Sequence, residues 1–250
     1  MAEILSNVRL FVGGADLTGV GNKLEVAGEA EEKNVTRWSS YDEASGLVWK
    51  EVLGGTKSAK ISGAGFWEAG DEQLVDDVAW EMLAATGELT AYPRGAGVGA
   101  PAWVTKALET QYQLLGQQGE VAPWSASWSN TWPLARGVVA HPPGTARTAT
   151  GDGTAVPLPA VPTGGELIAV VHVLSVAGTG TPSLTVAIES DDTDDFDGSE
   201  TTRITFPAAT AVGGLAVRVG GPITDTFYRA TWTITGSSPS FLFLVAFGVA

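Results

Sequence analysis

Cysteine is absent from this 250-residue chain, which excludes disulfides, thiolate metal sites and thiol nucleophiles. Histidine is nearly as scarce, with two residues in all. His141 precedes two prolines, and His172 lies inside the alternating run LIAVVHVLSV. With no third group at a suggestive spacing, neither a Ser-His-Asp triad nor a zinc site has support. Positive charge is also short. Residues 1–145 carry 18 acids against 10 bases (−8), and residues 146–250 carry 10 against 4 (−6), for a net charge of −14. No basic patch emerges, so binding to nucleic acid or an anionic membrane is disfavoured. Long hydrophobic runs are missing too: the longest, FLFLVAFGVA at 241–250, has about half the roughly 20 residues that a spanning helix needs. The opening MAEILSNVRLFVGG has an acid at Glu3 and no extended apolar run. The expectation is a chain without a signal peptide, soluble and cytoplasmic at first.

Glycine (32 residues), proline (13) and tryptophan (9) are plentiful, which points to many turns, large aromatic anchors and a β-rich chain. The segment 7–19 reads as a strand, a Gly-Gly turn and a polar exit. Residues 29–53 read as a long polar excursion or a hairpin, with Trp38, Tyr41 and Trp49 embedded in it; long ordered loops usually carry contacts or function. One helix is expected at 71–86. Leu74, Val75, Val78, Ala79, Met82 and Leu83 make one apolar stripe, Asp71 can cap the start and Gly87 can supply a left-handed stop. The segment 102–116 fits either helix or strand. A Pro/Gly/Thr-rich stretch at 146–165 reads as a linker between a first domain (1–145) and a second (166–250). Strand-like runs at 166–176, 183–190, 201–206, 215–219, 226–235 and 240–249, with GSSPS as a turn, predict an antiparallel β-sandwich.

Chemistry-bearing motifs are few. The stretch ESDDTDDFDGSE (189–200) invites a calcium reading, yet a register from Asp192 puts Phe196 at position 5 and Asp197 at 6, and one from Asp191 puts Phe196 where glycine belongs. It is expected to be a solvated loop between strands, with no metal or other cofactor. GAGVGA (95–100) is flanked by Pro93 and Pro101 and lacks the strand and helix a dinucleotide needs, so it reads as a turn. LGGTKS (53–58) lacks the leading glycine of a phosphate loop and also reads as a turn. Paired carboxylates for glycoside hydrolysis, or tryptophans as sugar platforms, remain formally open; nothing demands an enzyme.

Two stretches carry a resemblance. VWKEVLGGTKSAKISGAGFWEAG (48–70), the helix, and GELTAYPRGAGVGAPAWVTKALETQYQLLGQQGEVAPWSASW (87–128) resemble the tail tube (major tail) proteins of long-tailed bacteriophages. The C-terminal SDDTDDFDGSETTRITF and VGGPITDTFYRATWTITGSSPSFLFLVAFGV resemble the second half of tail proteins from phages of actinobacteria. The resemblance implies a mainly β fold: an antiparallel β-sandwich tail-tube domain with one flanking α-helix, then a second antiparallel β-sandwich domain. It makes 102–116 a strand and 29–53 a loop reaching a neighbouring ring. It further implies a non-enzymatic virion protein, assembled in the host cytoplasm. Its partners would be itself, in rings of six or of three pseudo-duplicated copies, and the tape measure, terminator and distal tail proteins. Genomic DNA would pass through without specific binding. The candidate inter-subunit residues are Glu29, Glu31, Glu32, Trp38, Tyr41, Trp49 and Lys50, with Lys50, Lys57 and Lys60 expected to pair with glutamates of a neighbour. A carbohydrate-binding β-sandwich and a capsid decoration protein are the alternatives.

Overall fold

The computed structural model describes Leu5 and residues 7–70, 74–95 and 97–250. The chain is mainly β, built on one large antiparallel sheet system. β1 (Arg9–Val12) turns through Gly13 and Gly14, both at positive φ, into the short β2 (Ala15–Asp16). β3 (Gly21–Asn34) leads to a tip formed by β4 (Tyr41–Asp42) and β5 (Leu47–Val48), and β6 (Val52–Phe66) returns antiparallel to β3. The excursion at 29–53 is therefore part of a long hairpin. LGGTKS lies inside β6 and is not a turn. Its extra residue is absorbed as a bulge, where Ala30 pairs with Lys57 but Glu32 pairs with Gly54.

The α-helix is shorter than the stripe suggested. α1 spans Val75–Met82, burying Val75, Val78 and Ala79, and the expected Asp71 cap lies outside the described residues. Leu83 is already extended, and Ala84 at φ 65 makes the left-handed stop assigned to Gly87. Gly87 belongs instead to β7 (Thr86–Tyr92). A Cβ there would come within 2.3 Å of the Met82 side chain, so the glycine permits close helix–strand packing. The ambiguous 102–116 is a strand, β8 (Pro101–Leu114). Its helical spacing loses to strand pairing along its whole length. Its first half pairs with β7 and its second half with β9 (Pro123–Asn130). β8 thus passes from one sheet into the other and closes the first sandwich. Leu10, Val12, Ile61, Val75, Val78, Leu89, Trp124 and Trp128 fill the core between the sheets.

β10 (Ala135–His141) carries this sheet onward, because it pairs with β8 on one side and with the last strand on the other. The segment 146–165 contributes β11 (Gly151–Asp152) and β12 (Val156–Pro157), both laid against that last strand. β13 (Glu166–Asp191), β14 (Thr201–Thr205), β15 (Gly213–Gly220) and β16 (Phe227–Val249) complete the chain. The runs expected as separate strands merge: β13 and β16 pair from Leu167↔Val249 to Asp191↔Phe227. GSSPS is not a hairpin turn but the bend of β16, with Gly236 at φ 119 and Ser238 at φ 48. Register shifts at Val173/Ser175, Ala177/Thr179 and Thr179/Ser183 mark the same corner in β13. The ribbon folds over there, and bulged corners are how strands switch sheets. Its two halves pack face to face, Val171, Val245 and Phe247 against Val186, Ile188, Tyr228 and Trp232.

The sheet that runs β1-β7-β8-β10-β16-β13 curls until its ends meet. A Cβ on Gly14 would lie 2.6 Å from the backbone of Gly213 at the start of β15. Inside the curl, Phe11, Tyr92, Val104, Val139, Ile168, Val170, Leu244 and Ala246 make a core drawn from both halves of the sequence. His172 spans the seam, its Nδ1 accepting the Gly14 N–H at 3.3 Å and its Nε2 lying 2.9 Å from the Thr90 hydroxyl. Burial pushes the His172 imidazole down to about 3, and burial with the nearby Arg147 charge pushes His141 down to about 4.

An unfolded chain takes up its histidine protons near pH 6.5 while folded His172 resists, so the stability carried by the neutral ring is full above that pH and is lost as pH falls. The melting temperature should drop between about pH 6.5 and about pH 3, and His172→Gln, which keeps a donor and an acceptor, should flatten part of that slope. An unchanged slope in the variant would contradict the seam assignment.

Candidate assembly surface

β6 leaves the body of the protein at Lys60, the last residue it pairs with β9 at Ser129. From there to Val52 it pairs only with β3; Ala59 is still buried, its N–H donating to the Asn130 side chain at 2.6 Å, and from Ser58 to Val52 the two-stranded arm has both faces in solvent. At about 3.3 Å per residue the stretch from Lys60 to Val52 reaches roughly 25 Å before the tip begins. The tip is built, not slack. The Val35 N–H donates to the Glu51 carbonyl at 2.9 Å, the Ser40 hydroxyl to the Glu51 carboxylate at 2.6 Å, and the Glu51 N–H to the Thr36 hydroxyl at 2.9 Å. The Ser45 hydroxyl and the Ala44 N–H hold the Asp42 carboxyl below its usual range and close the β4–β5 turn.

On this ordered frame Trp38 is 100% exposed and Trp49 67% exposed, and Tyr41, Leu47, Val48, Val52 and Leu53 are exposed beside them. The structure therefore brings Trp38, Tyr41 and Trp49 together at one tip, with Glu29, Glu31, Glu32 and Lys50 along the arm. Lys50 bonds Glu32 and Lys33 bonds Glu31 within the same chain, so these groups brace the arm internally. Exposed pairs of this kind are worth about 0–1 kcal/mol each, whereas burying one large apolar side chain yields about 1.5–3 kcal/mol. The exposed apolar surface of the tip therefore outweighs the charges as a source of free energy for any contact it makes. A second exposed apolar group lies at the other end of β6, where Phe66, Leu115 and Val121 cluster near the β8–β9 connection. Their sequence separation concealed it.

The acidic stretch is only partly the solvated loop expected. Asp192, Asp194, Asp195 and Asp197 are exposed, but Asp191 and Phe196 are buried. Arg229 organises the segment: it pairs with Glu189 at 2.8 Å and Glu200 at 3.7 Å, and its guanidinium sits 4.4 Å over the Phe196 ring. Asp191 accepts the Ser199 hydroxyl at 3.0 Å, and Arg203 pairs with Asp225 at 2.7 Å. Arg229 thus ties together the two glutamates that flank the aspartates. Among the described residues no group of three or more His, Asp or Glu is placed to hold a metal ion. GAGVGA forms a turn closed by the Ala100 N–H on the Gly97 carbonyl, with Ala96 outside the described residues.

No protein-family model matches the chain, and no curated protein matches it. Among solved structures it is similar to a chain from the virion of a native gene transfer agent particle, with TM-score 0.39 and 22% identity over 51% of this chain and 94% of that one. It is similar to a chain from the tail of an empty gene transfer agent particle with C6 symmetry, with TM-score 0.38 and 21% identity over 51% and 92%. The Dit protein of SPP1, described as a paradigm of the hub adsorption apparatus in phages infecting Gram-positive bacteria, matches at TM-score 0.34 and 12% identity over 97% and 99%. These likenesses are too loose to carry a function, which has to come from the chain's own surfaces.

Because no group of three or more carboxylates among the described residues is placed to hold a metal ion, calcium should not raise the melting temperature in a stoichiometric, EGTA-reversible way. Such a rise would contradict the reading of this segment as a metal-free loop.

Proposed function

We propose that the chain is a structural virion protein, a tail tube subunit that polymerises into stacked rings around a conduit for DNA. The observation that carries this reading is the arm: a preorganised hairpin that leaves the body and exposes Trp38, Tyr41, Trp49 and their aliphatic neighbours at its end. Exposed apolar surface of this kind marks an interaction site, and preorganisation lowers the entropic cost of using it. A second copy is the partner, in rings of six or of three pseudo-duplicated subunits, with the other tail proteins at the tube ends. The acidic net charge of −14 suits a bore through which DNA passes, since a negative wall repels phosphate and releases no counterions. Like charge on every copy also opposes assembly, so the apolar arm contact has to outweigh it. Residues 1–145 are the tube-forming unit, and residues 166–250 either decorate the outside or act as a second tube-forming unit in a ring of three copies. The role requires no catalytic group, and its site is the virion tail.

Concentrated protein should form tubes visible by electron microscopy. Trp38→Ser with Trp49→Ser removes apolar surface only from the exposed tip, so the double variant should keep its circular dichroism and fail to polymerise. Wild-type protein that stays monomeric at high concentration, or a double variant that assembles as before, would overturn the reading.

A further inference from the structure

Glu109 sits at a joint that the assembly role does not use. Its backbone fastens the exit of helix α1 to the sheet: the Ala84 N–H donates to the Glu109 carbonyl at 3.0 Å, and the Glu109 N–H donates to the Ala85 carbonyl at 3.1 Å. Leu83 bridges to it directly, and the β8–β9 register shifts immediately after it, between Glu109 and Gln111. Its side chain then turns inward. The residue is 1% exposed, one carboxyl oxygen accepts the Trp128 indole N–H at 2.8 Å, and the other meets no donor. No cation pairs with it among the described residues. The ionisable neighbours are Tyr112 on its own strand and Asp76 on α1, whose carboxylate accepts the Tyr112 hydroxyl at 2.7 Å. β9, packed on the other side, contributes no ionisable residue between Pro123 and Asn130.

A buried carboxylate with one hydrogen bond and no counter-charge is costly, whereas the neutral acid tolerates the same place. We propose that Glu109 is a proton-operated latch on helix α1. Neutral, it stays buried beside Trp128 and holds the helix exit to β8. Charged, it draws water into the joint and loosens the helix. Burial pushes its carboxyl up to about 7, which brings the latch into the range of ordinary growth and storage conditions. The sign follows from linkage. The folded protein keeps a proton that the unfolded chain has already released, so stability is greatest at the acid side and declines as pH rises through the folded value. This is opposite in sign to the histidine effect, and the two windows overlap between about pH 4.5 and about pH 6.5.

Helix α1 is the element to watch: besides this joint it is held by the buried Val75, Val78 and Ala79, by the Asp76–Tyr112 bond, and at its first turn by the Asp76 N–H on the Glu68 carbonyl and the Gly70 N–H on the Asp77 carboxylate, both at 3.1 Å. Amide exchange of residues 75–85, corrected for the chemical exchange rate, should be severalfold faster at about pH 8 than at about pH 6 in the wild type. Glu109→Gln, which cannot ionise, should show equal protection at both. Wild-type protection that is the same at both values, or a variant that keeps the wild-type difference, would overturn the proposal. Should Glu109→Gln fail to fold, a carbon-13 titration of the wild-type Glu109 carboxyl decides. A midpoint near 7 with α1 amide shifts following it supports the latch. A midpoint in the ordinary carboxylate range, or α1 amides that do not follow, rules it out.

Discussion

The pairing of β13 with β16 governs the rest of the architecture. It joins residues as far apart as Leu167 and Val249, holds along both strands, and then bends at 177–182 and 236–240 so that one ribbon supplies both layers of the C-terminal sandwich. The bend requires backbone that ordinary strand residues resist, and Gly178, Gly180, Gly236 and Ser238 at positive φ provide it. Because the ribbon's outer half also pairs with β10, the second sandwich is not hung on the first but grows out of the same sheet. The curl, the mixed core around Ile168 and Val104, and the His172 seam all follow from that one junction.

Many large apolar side chains are absorbed by these cores, and among the described residues seven of the fifteen left exposed lie on the β3–β6 arm and its tip. A two-stranded ribbon with both faces wet is marginal alone. The arm therefore relies on the Glu32–Lys50 and Glu31–Lys33 pairs and the hydrogen bonds around Glu51 to stay formed. That division of labour separates two kinds of residue. Charged groups brace the arm within one chain, and the aromatic groups of its tip are left exposed.

Much of this was legible in the sequence wherever local chemistry decided the outcome. The Gly13–Gly14 turn, the helical stripe around Val75 and Val78, the hairpin at 29–53 and the β-rich character were all visible. Long-range pairing hid the rest. Residues 102–116 have an apolar spacing compatible with either helix or strand, and only the flanking β7, β9 and β10 settle it. GSSPS and LGGTKS look like turns because turn residues also make bulges, and the difference depends on a partner strand far away in sequence. The prolines of 146–165 suggested a linker, yet short edge strands tolerate proline, and this segment lies against β16. Glu109 gave no signal at all, since one glutamate in a polar strand looks exposed until its neighbours are placed. The acidic stretch concealed its organiser because Arg229 is 29 positions beyond Glu200 and meets it only across paired strands.

Copies are proposed to meet through the arm, and amide exchange along residues 29–53, measured in dilute monomer and again in concentrated, assembled protein, tests this most directly. Protection around Trp38, Tyr41 and Trp49 should rise strongly on assembly. Equal protection in the two states would rule out the arm as the contact surface.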